Sequence, residues 1–481
     1  MMHALLLASL VWIPSLQEPA PAEPASQPAA QQASRPAAQQ ASRPAAQGQS
    51  ASRPADARPN IVLLYADDAG YADFGFQPNA AKEMTGLTPH IDSIAKAGVV
   101  FGNAYMSGCV CSPSRAGMLT GRYQCRFGHE NNIPPGYMKG GMDLKERTFA
   151  DRLRKLGYRT GMVGKWHLGY PEPYQPNRRG FDWFLGLLQG SRPYFPMKRP
   201  TPNRVLQENG KALPEKGYVT DRFGNAAIRF LEEQGQKGPF ILYVSFTAPH
   251  GPLQAKPKDL QALAAIEKPR RRRYAGLIKS LDDNVGRILD TLEATGLAKN
   301  TLVIFTNDNG GQTMTGAVNT PLRGRKGQLF EGGIRVPMCM RWPGRIQPGS
   351  RIDEPVISLD FLPTFVEIAG GQIDPAWKLD GQSLLPRLLG KQKRLPERTL
   401  YWRKGGPGKE IALRRGRYKL HYKDRSQSQQ PELYDLDQDI SETADLAADH
   451  TKLVDELNQL LATWESQLEA PRWGMRRRRR K

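Results

Sequence analysis

The chain has 481 residues, 39% of them hydrophobic and 24% charged, with 47 Gly, 39 Pro, four Cys and a net charge of +21. Such a chain suits a soluble globular protein with many loops and one large core or two smaller ones. Four cysteines in this length exclude a small disulfide scaffold, and the Cys109–Val110–Cys111 spacing is too tight for a zinc knuckle.

The N-terminal stretch MMHALLLASLVWIPSL is apolar but shorter than the roughly 20 residues a bilayer demands. Its length fits a signal-peptide core, and Ala20-Pro21-Ala22 offers a small-x-small cleavage site. Residues 1–22 are therefore read as a signal peptide. The protein is expected to be exported, periplasmic or extracellular, with no stable membrane anchor. Residues 23–58 follow as a linker. They repeat AAQQASRP and hold almost no large apolar side chain, so they cannot form a core.

Ordered structure is expected from Pro59. NIVLLYADD is an apolar run ending in Asp67 and Asp68. The pattern recurs: YRTGMVGKWHLG ends in Lys165 and His167, FILYVSFTAPHGP ends at His250, and TLVIFTNDNGG ends in Asp308 and Asn309. Continuous apolar runs of this length predict strands buried on both faces. The intervening TPHIDSIAKAGV, TFADRLRKLG, RFGNAAIRFLEEQG and YAGLIKSLDDNVGRILDTLEATG read as helices. Alternation of the two predicts an α/β fold, a mainly parallel sheet flanked by helices, over residues 59–395. Residues 396–470 change character: EIALRRGRYKLHYK reads as a hairpin and HTKLVDELNQLLATWESQLE as an amphipathic helix. They predict a small C-terminal antiparallel sheet with one covering helix. Residues 471–481 form a basic tail, read as solvated.

The tail run Arg476–Lys481 carries six positive charges and residues 1–58 one, leaving +14 on the body. A basic body attracts anionic partners without specifying which. Arg270–Arg273 and the mid-helix pair Asp282-Asp283 are read as solvated surface, and loops in 170–220 show no readable code. A disulfide from Cys109 or Cys125 to Cys339 stays open.

In an open parallel sheet, ligands bind beyond the carboxyl ends of the strands. Four strand ends here deliver polar side chains to one edge. Asp67, Asp68, Asp308 and the Asn309 amide oxygen suit a hard divalent cation. Lys165, Lys326, Arg115, His167 and His250 add cationic groups suited to a tetrahedral dianion or its monoester. Cys111 falls just before a helix that Pro113 can start. A plain thiol there is expected to be acidic, and at risk of oxidation in an oxidising compartment.

At these residues the chain resembles the formylglycine-dependent sulfatases of the alkaline phosphatase superfamily. Their signature C-x-P-S-R stands as Cys111-Ser112-Pro113-Ser114-Arg115. PNIVLLYADDAGY, TPHID, GKWHLG, APHGP, TNDNGG and RKGQLFEGGIRVP follow the family's order from Pro59 to about residue 468. The resemblance implies an alkaline-phosphatase-like fold and a sulfuric ester hydrolase. It implies that a formylglycine-generating enzyme oxidises Cys111 to an aldehyde. One hydroxyl of its hydrate attacks sulfur; deprotonation of the other releases sulfate. It implies Ca²⁺, in preference to Mg²⁺, held by Asp67, Asp68, Asp308, Asn309 and the modified residue 111. Arg115 and Lys165 would hold the hydrate, His167 would be the base, and His250 and Lys326 would bind sulfate near the leaving oxygen, one as general acid. Export and the basic body favour a sulfated glycan over a small aryl ester, with no nucleic acid expected. Phosphate mono- or diester hydrolysis on the same scaffold is the alternative, and a non-catalytic binder of sulfated polymer the reading from another class.

Overall fold

A computed structural model describes residues 58–427 and 430–474. The expected signal peptide, nearly all of the linker and the basic tail from residue 475 lie outside the described residues.

The first apolar run forms β1 (Asn60–Asp67), followed by α1 (Pro89–Lys96), β2 (Val99–Phe101) and the two-residue β3 (Ala104–Tyr105). Then come α2 (Cys111–Thr120), α3 (Phe149–Lys155), β4 (Arg159–Lys165) and β5 (Trp183–Leu187). A short hairpin, β6 (Gln207–Glu208) and β7 (Lys211–Ala212), precedes α4 (Val219–Gln234) and β8 (Phe240–Pro249). Next are α5 (Pro257–Ala262), the long α6 (Pro269–Ala294), β9 (Thr301–Asn307) and α7 (Glu331–Ile334). β10 (Cys339–Arg341), β11 (Ser350–Ile352), β12 (Val356–Ile357), α8 (Phe361–Ile368) and α9 (Leu385–Leu388) follow. The chain then builds β13 (Thr399–Lys404), β14 (Glu410–Arg415), β15 (Tyr418–Tyr422), β16 (Glu432–Asp435) and α10 (Thr451–Glu465).

Ten strands join in the order β11-β2-β10-β9-β1-β8-β4-β5-β6-β7. The five central ones, β9 to β5, are parallel. Their alternation explains the unbroken apolar runs. Ile61, Leu63 and Tyr65 of β1 enter the core on one face, and Val62, Leu64 and Ala66 that on the other. β13 to β16 form a separate antiparallel sheet in sequence order. Trp402, Leu413 and Leu420 pack there with Leu457, Leu461 and Trp464 of α10, and with Tyr105, Leu329 and Ile334 from the larger unit. The architecture is thus the mainly parallel α/β sheet with a small antiparallel sheet and helix expected.

Two surface assignments fail in part. Arg270–Arg273 lie within the first turn of α6, and Arg271 is buried, its guanidinium 2.7 Å from Asp73 and 2.8 Å from Glu83. Asp282 is buried as well: its carboxylate accepts the orphan N–H groups of His90 and Ile91 at the start of α1, at 3.2 and 2.8 Å. Arg270 and Arg273, both exposed, behave as expected, and so does Asp283, which pairs with Lys279 at 2.8 Å one turn away. The four cysteines are free and buried.

Candidate active site

Parallel strands aim their carboxyl ends the same way, so the segments after β1, β4, β8 and β9 meet. Asp67 closes β1, and Asp68 turns away with φ +68°. Asp68 N–H donates to Asp308 Oδ1 at 3.1 Å, and Asn309 Nδ2 donates to Asp68 Oδ1 at 2.9 Å. Lys165, the last residue of β4, reaches Asp67 Oδ2 at 2.7 Å. The Arg115 guanidinium lies 2.8 Å from Asp308 and 3.7 Å from Asp67. Lys326 Nζ sits 2.6 Å from Asp68 Oδ2 and donates to Cys111 Sγ at 3.3 Å. His250 Nε2 is 3.5 Å from Asp68 Oδ2. The Cys111 sulfur lies 3.6 Å from Asp67 Oδ1 and 3.9 Å from Asp68 Oδ1.

Every residue singled out from the strand ends and from the Cys111 segment is therefore brought to one place. His167 differs in kind. It has φ +61°, and its carbonyl accepts the Ser112 hydroxyl at 2.7 Å, but its ring Nδ1 has no hydrogen-bond partner. Burial and then Lys165 and Arg115 push its pKa well below the usual imidazole value. A neutral imidazole can accept a proton.

Burial and Asp308 raise the Asp67 carboxyl to about 6 against the pull of Lys165. Burial also opposes ionisation of Asp308, but Arg115, Lys165 and Lys326 win and hold it well below the usual carboxylate range. Asp68 is lowered too: Lys326 and His250 outweigh its burial. The expectation of an acidic thiol at Cys111 is not met. α2 begins at Cys111 itself and all ten of its residues are buried. Desolvation, with Asp308 nearby, drives the thiol up to about 12, so burial outweighs the helix dipole.

The donor set fits a hard dication. Three carboxylates and one amide converge, and the Asn309 amide oxygen, buried, has no hydrogen-bond partner. A cation would satisfy that oxygen and relieve the repulsion that raises Asp67.

Several supporting residues had no signal in the sequence reading. Ser112 Oγ lies 2.6 Å from His129 Nε2, and Ser112 N–H donates to Asn132 at 2.9 Å. Arg115 also reaches Ser245 and, at 3.3 Å, the Tyr243 hydroxyl. Those two alternate on one face of β8, and a serine inside so apolar a strand was the available clue. The Lys326 turn is gripped by the C-terminal sheet. Lys404 donates to the Gly327 carbonyl, Leu329 N–H donates to Glu410 at 2.7 Å, and Gly327 N–H donates to Cys109 O at 2.8 Å. Just beyond, Glu331 is held by Lys419 at 2.9 Å, the Tyr105 hydroxyl at 2.6 Å and Arg335 at 3.4 Å. Glu442 accepts the Glu331 N–H at 2.7 Å and pairs with Lys419 at 2.8 Å.

Two family models match this chain. One, described as Sulfatase, covers residues 59–371; the other, described as N-sulphoglucosamine sulphohydrolase, C-terminal, covers residues 325–467. Arylsulfatase J of Mus musculus is 34% identical over 342 residues, which is 69% of this chain but only 56% of that protein. N-acetylgalactosamine-6-sulfatase of Homo sapiens is 32% identical over 386 residues, 76% of this chain and 71% of that one. The crystal structure of Ps i-CgsB in complex with k-i-k-neocarrahexaose matches with a TM-score of 0.82 and 34% identity, covering 86% of this chain and 94% of that chain.

Proposed function

The chain belongs to the sulfatase family, and from that premise we propose that it hydrolyses sulfate esters of glycans with a formylglycine made from Cys111 beside a calcium ion. The observation that carries this reading is the meeting of three carboxylates, the unpartnered Asn309 oxygen and three cationic side chains around residue 111. Glycan esters are favoured because Ps i-CgsB is bound to a neocarrahexaose and a curated relative is an N-acetylgalactosamine-6-sulfatase.

Asp67, Asp68, Asp308 and Asn309 would hold the ion, Ca²⁺ in preference to Mg²⁺. Bound there, it would neutralise sulfate oxygens and acidify the neighbouring hydroxyl. Formylglycine hydrate supplies one hydroxyl to attack sulfur and a second whose proton loss regenerates the aldehyde. Arg115 and Lys165 orient residue 111 through the charges they already direct at Asp67 and Asp308. His167 is the base for the second hydroxyl. Lys326 and His250 bind the sulfate near the leaving oxygen, one of them protonating it, as both stand beside Asp68 and are partly exposed. A formylglycine-generating enzyme is the partner this requires. Export follows from residues 1–22, and no helix among the described residues is long and apolar enough to cross a membrane.

Two measurements test the reading. The peptide spanning residue 111 from matured protein is expected about 18 mass units lighter than its thiol form. Parallel turnover of nitrophenyl sulfate and nitrophenyl phosphate is expected to favour sulfate. An unmodified thiol in active protein, or a tenfold preference for phosphate, overturns it, the latter in favour of a phosphoesterase.

A further inference from the structure

The stretch from Leu188 to Val205 takes no part in the chemistry above, yet it forms a wall beside it. At its start the His167 N–H donates to the Leu188 carbonyl at 3.1 Å, and Gly190 lies so close under the His167 ring that a Cβ there would come within 2.4 Å. Four residues on, the Tyr194 hydroxyl lies 2.8 Å from the His250 carbonyl and 2.7 Å from that of Thr247. The wall thus runs from one site histidine to the other. Past Tyr194 it turns to solvent: Phe195 is 38% exposed, its ring edge-on to Tyr218 with centroids 5.2 Å apart, and Lys198 and Arg199 are exposed.

The segment after Asn309 comes to the His250–Gly251 turn as well. Gln312 N–H donates to the Asp68 carbonyl at 3.4 Å, the Thr315 methyl stands 3.8 Å from where a Gly251 Cβ would be, and Met314 between them is 65% exposed. Only five large apolar side chains are exposed among the described residues, and two of them, Phe195 and Met314, adjoin in sequence Tyr194 and Thr315, which reach the His250–Gly251 turn. His250, whose side chain is 23% exposed, opens the site at this point.

Charge completes the pattern. Residues 191–205 hold four cations and no carboxylate. Arg192 is neutralised by Glu215 at 2.6 Å. Lys198 and Arg199 have no ion-pair or hydrogen-bond partner among the described residues. An apolar ring beside two uncompensated cations matches a saccharide: its C–H face lies on the ring and its acidic substituents meet the cations. A simple aryl alcohol would leave the cations idle.

We propose that Phe195, Met314, Lys198 and Arg199 form a subsite on the alcohol side of the scissile ester, filled by a neighbouring sugar that carries its own sulfate or carboxylate. The proposal rests on the sulfate-ester reading of His250 and Lys326. It is tested on matured full-length protein with a chondroitin sulfate tetrasaccharide as competitor of nitrophenyl sulfate. In the Lys198→Glu/Arg199→Glu double variant, the ratio of tetrasaccharide Ki to nitrophenyl sulfate KM is expected to rise at least tenfold, and in Phe195→Ala about fivefold. Unchanged thermal midpoints establish that both variants fold. Independently of turnover, the tetrasaccharide is expected to protect residues 188–205 of the Cys111→Ala protein from hydrogen exchange, and its desulfated, carboxyl-reduced counterpart not to. A ratio within twofold of the parent protein, or no protection, overturns the subsite. Protection without release of sulfate from either nitrophenyl sulfate or the tetrasaccharide by the parent instead overturns the sulfatase reading, and the subsite with it, leaving only a surface that binds an anionic saccharide.

Discussion

Two buried clusters of charge lie on either side of the Lys326 turn, and they are built to opposite ends. Around Glu331 the set is closed: Glu331 and Glu442 share Lys419, and Arg335 and Tyr105 take what is left. Burial opposes ionisation of Glu331, yet Lys419, Arg335 and Arg414 bring it down to about 2. Around Cys111 the set stays unfinished. Asp67 is raised to about 6 by burial and Asp308, and the Asn309 oxygen has nothing to accept. One cluster reaches solvent through Lys326 and His250; the other is sealed. A buried network with every carboxylate paired fastens the fold. Burial raises a carboxyl in each, Glu442 in one and Asp67 in the other, but only the cluster with the unpartnered Asn309 oxygen opens to solvent and has room for something to enter.

The comparison breaks most sharply at Cys111. Cys111→Ala is expected to lower kcat/KM for nitrophenyl sulfate by at least about 10⁴, with the thermal midpoint within about 2 °C, because the residue serves the open cluster alone. Loss of fold along with activity would refute that division. Chelation comes next. Removing calcium is expected to cost about 10²-fold or more in turnover, and readdition at 100 times Kd should restore roughly 3 kcal/mol of stability, an increment absent in Asp308→Asn. A metal-independent melting curve in the parent protein would contradict the dication. In the closed cluster the effect moves to stability. Lys419→Met strands two carboxylates and is expected to cost about 3–5 kcal/mol in denaturant unfolding; a cost under 1 kcal/mol would show that the network is not closed.

The same cluster sets an acid limb. Glu331 has a folded pKa below its unfolded value, so its contribution is fully present above about 4.5 and is lost as pH falls from there toward 2. Unfolding free energy measured across that window is expected to fall less steeply in Glu331→Gln. An identical slope would remove Glu331 from the account. The smallest effect lies at the seam between the clusters. Glu410→Ala frees the Leu329 N–H and is expected to cost about three- to tenfold in kcat/KM by loosening Lys326, while Glu410→Gln keeps an accepting oxygen and recovers most of it. Equal losses in the two variants would mean that the charge, not the grip, matters.

The strands and their polar ends were legible because a strand buried on both faces leaves an uninterrupted apolar run, and Asp67, Lys165, His250 and Asp308 each interrupt one. The closed cluster was not legible. Glu331, Lys419 and Glu442 stand far apart in the chain within ordinary charged surroundings, and only the packing of β14 and β15 against the larger unit makes them neighbours. Asp282 misled for the same reason: a mid-helix carboxylate looks solvated until another helix brings its free N–H groups to it. The acidic thiol expected at Cys111 rested on the helix start and its dipole alone, whereas α2 is buried throughout.

That burial has a consequence for timing. Cys111 is 1% exposed, its sulfur against Lys326, Asp67 and Asp68. A catalyst cannot reach a side chain so enclosed once the sheet has closed, so the conversion proposed for Cys111 would have to precede folding. On that proposal, protein that folded first would be sealed in an inert form, and only unfolding would give it a second chance.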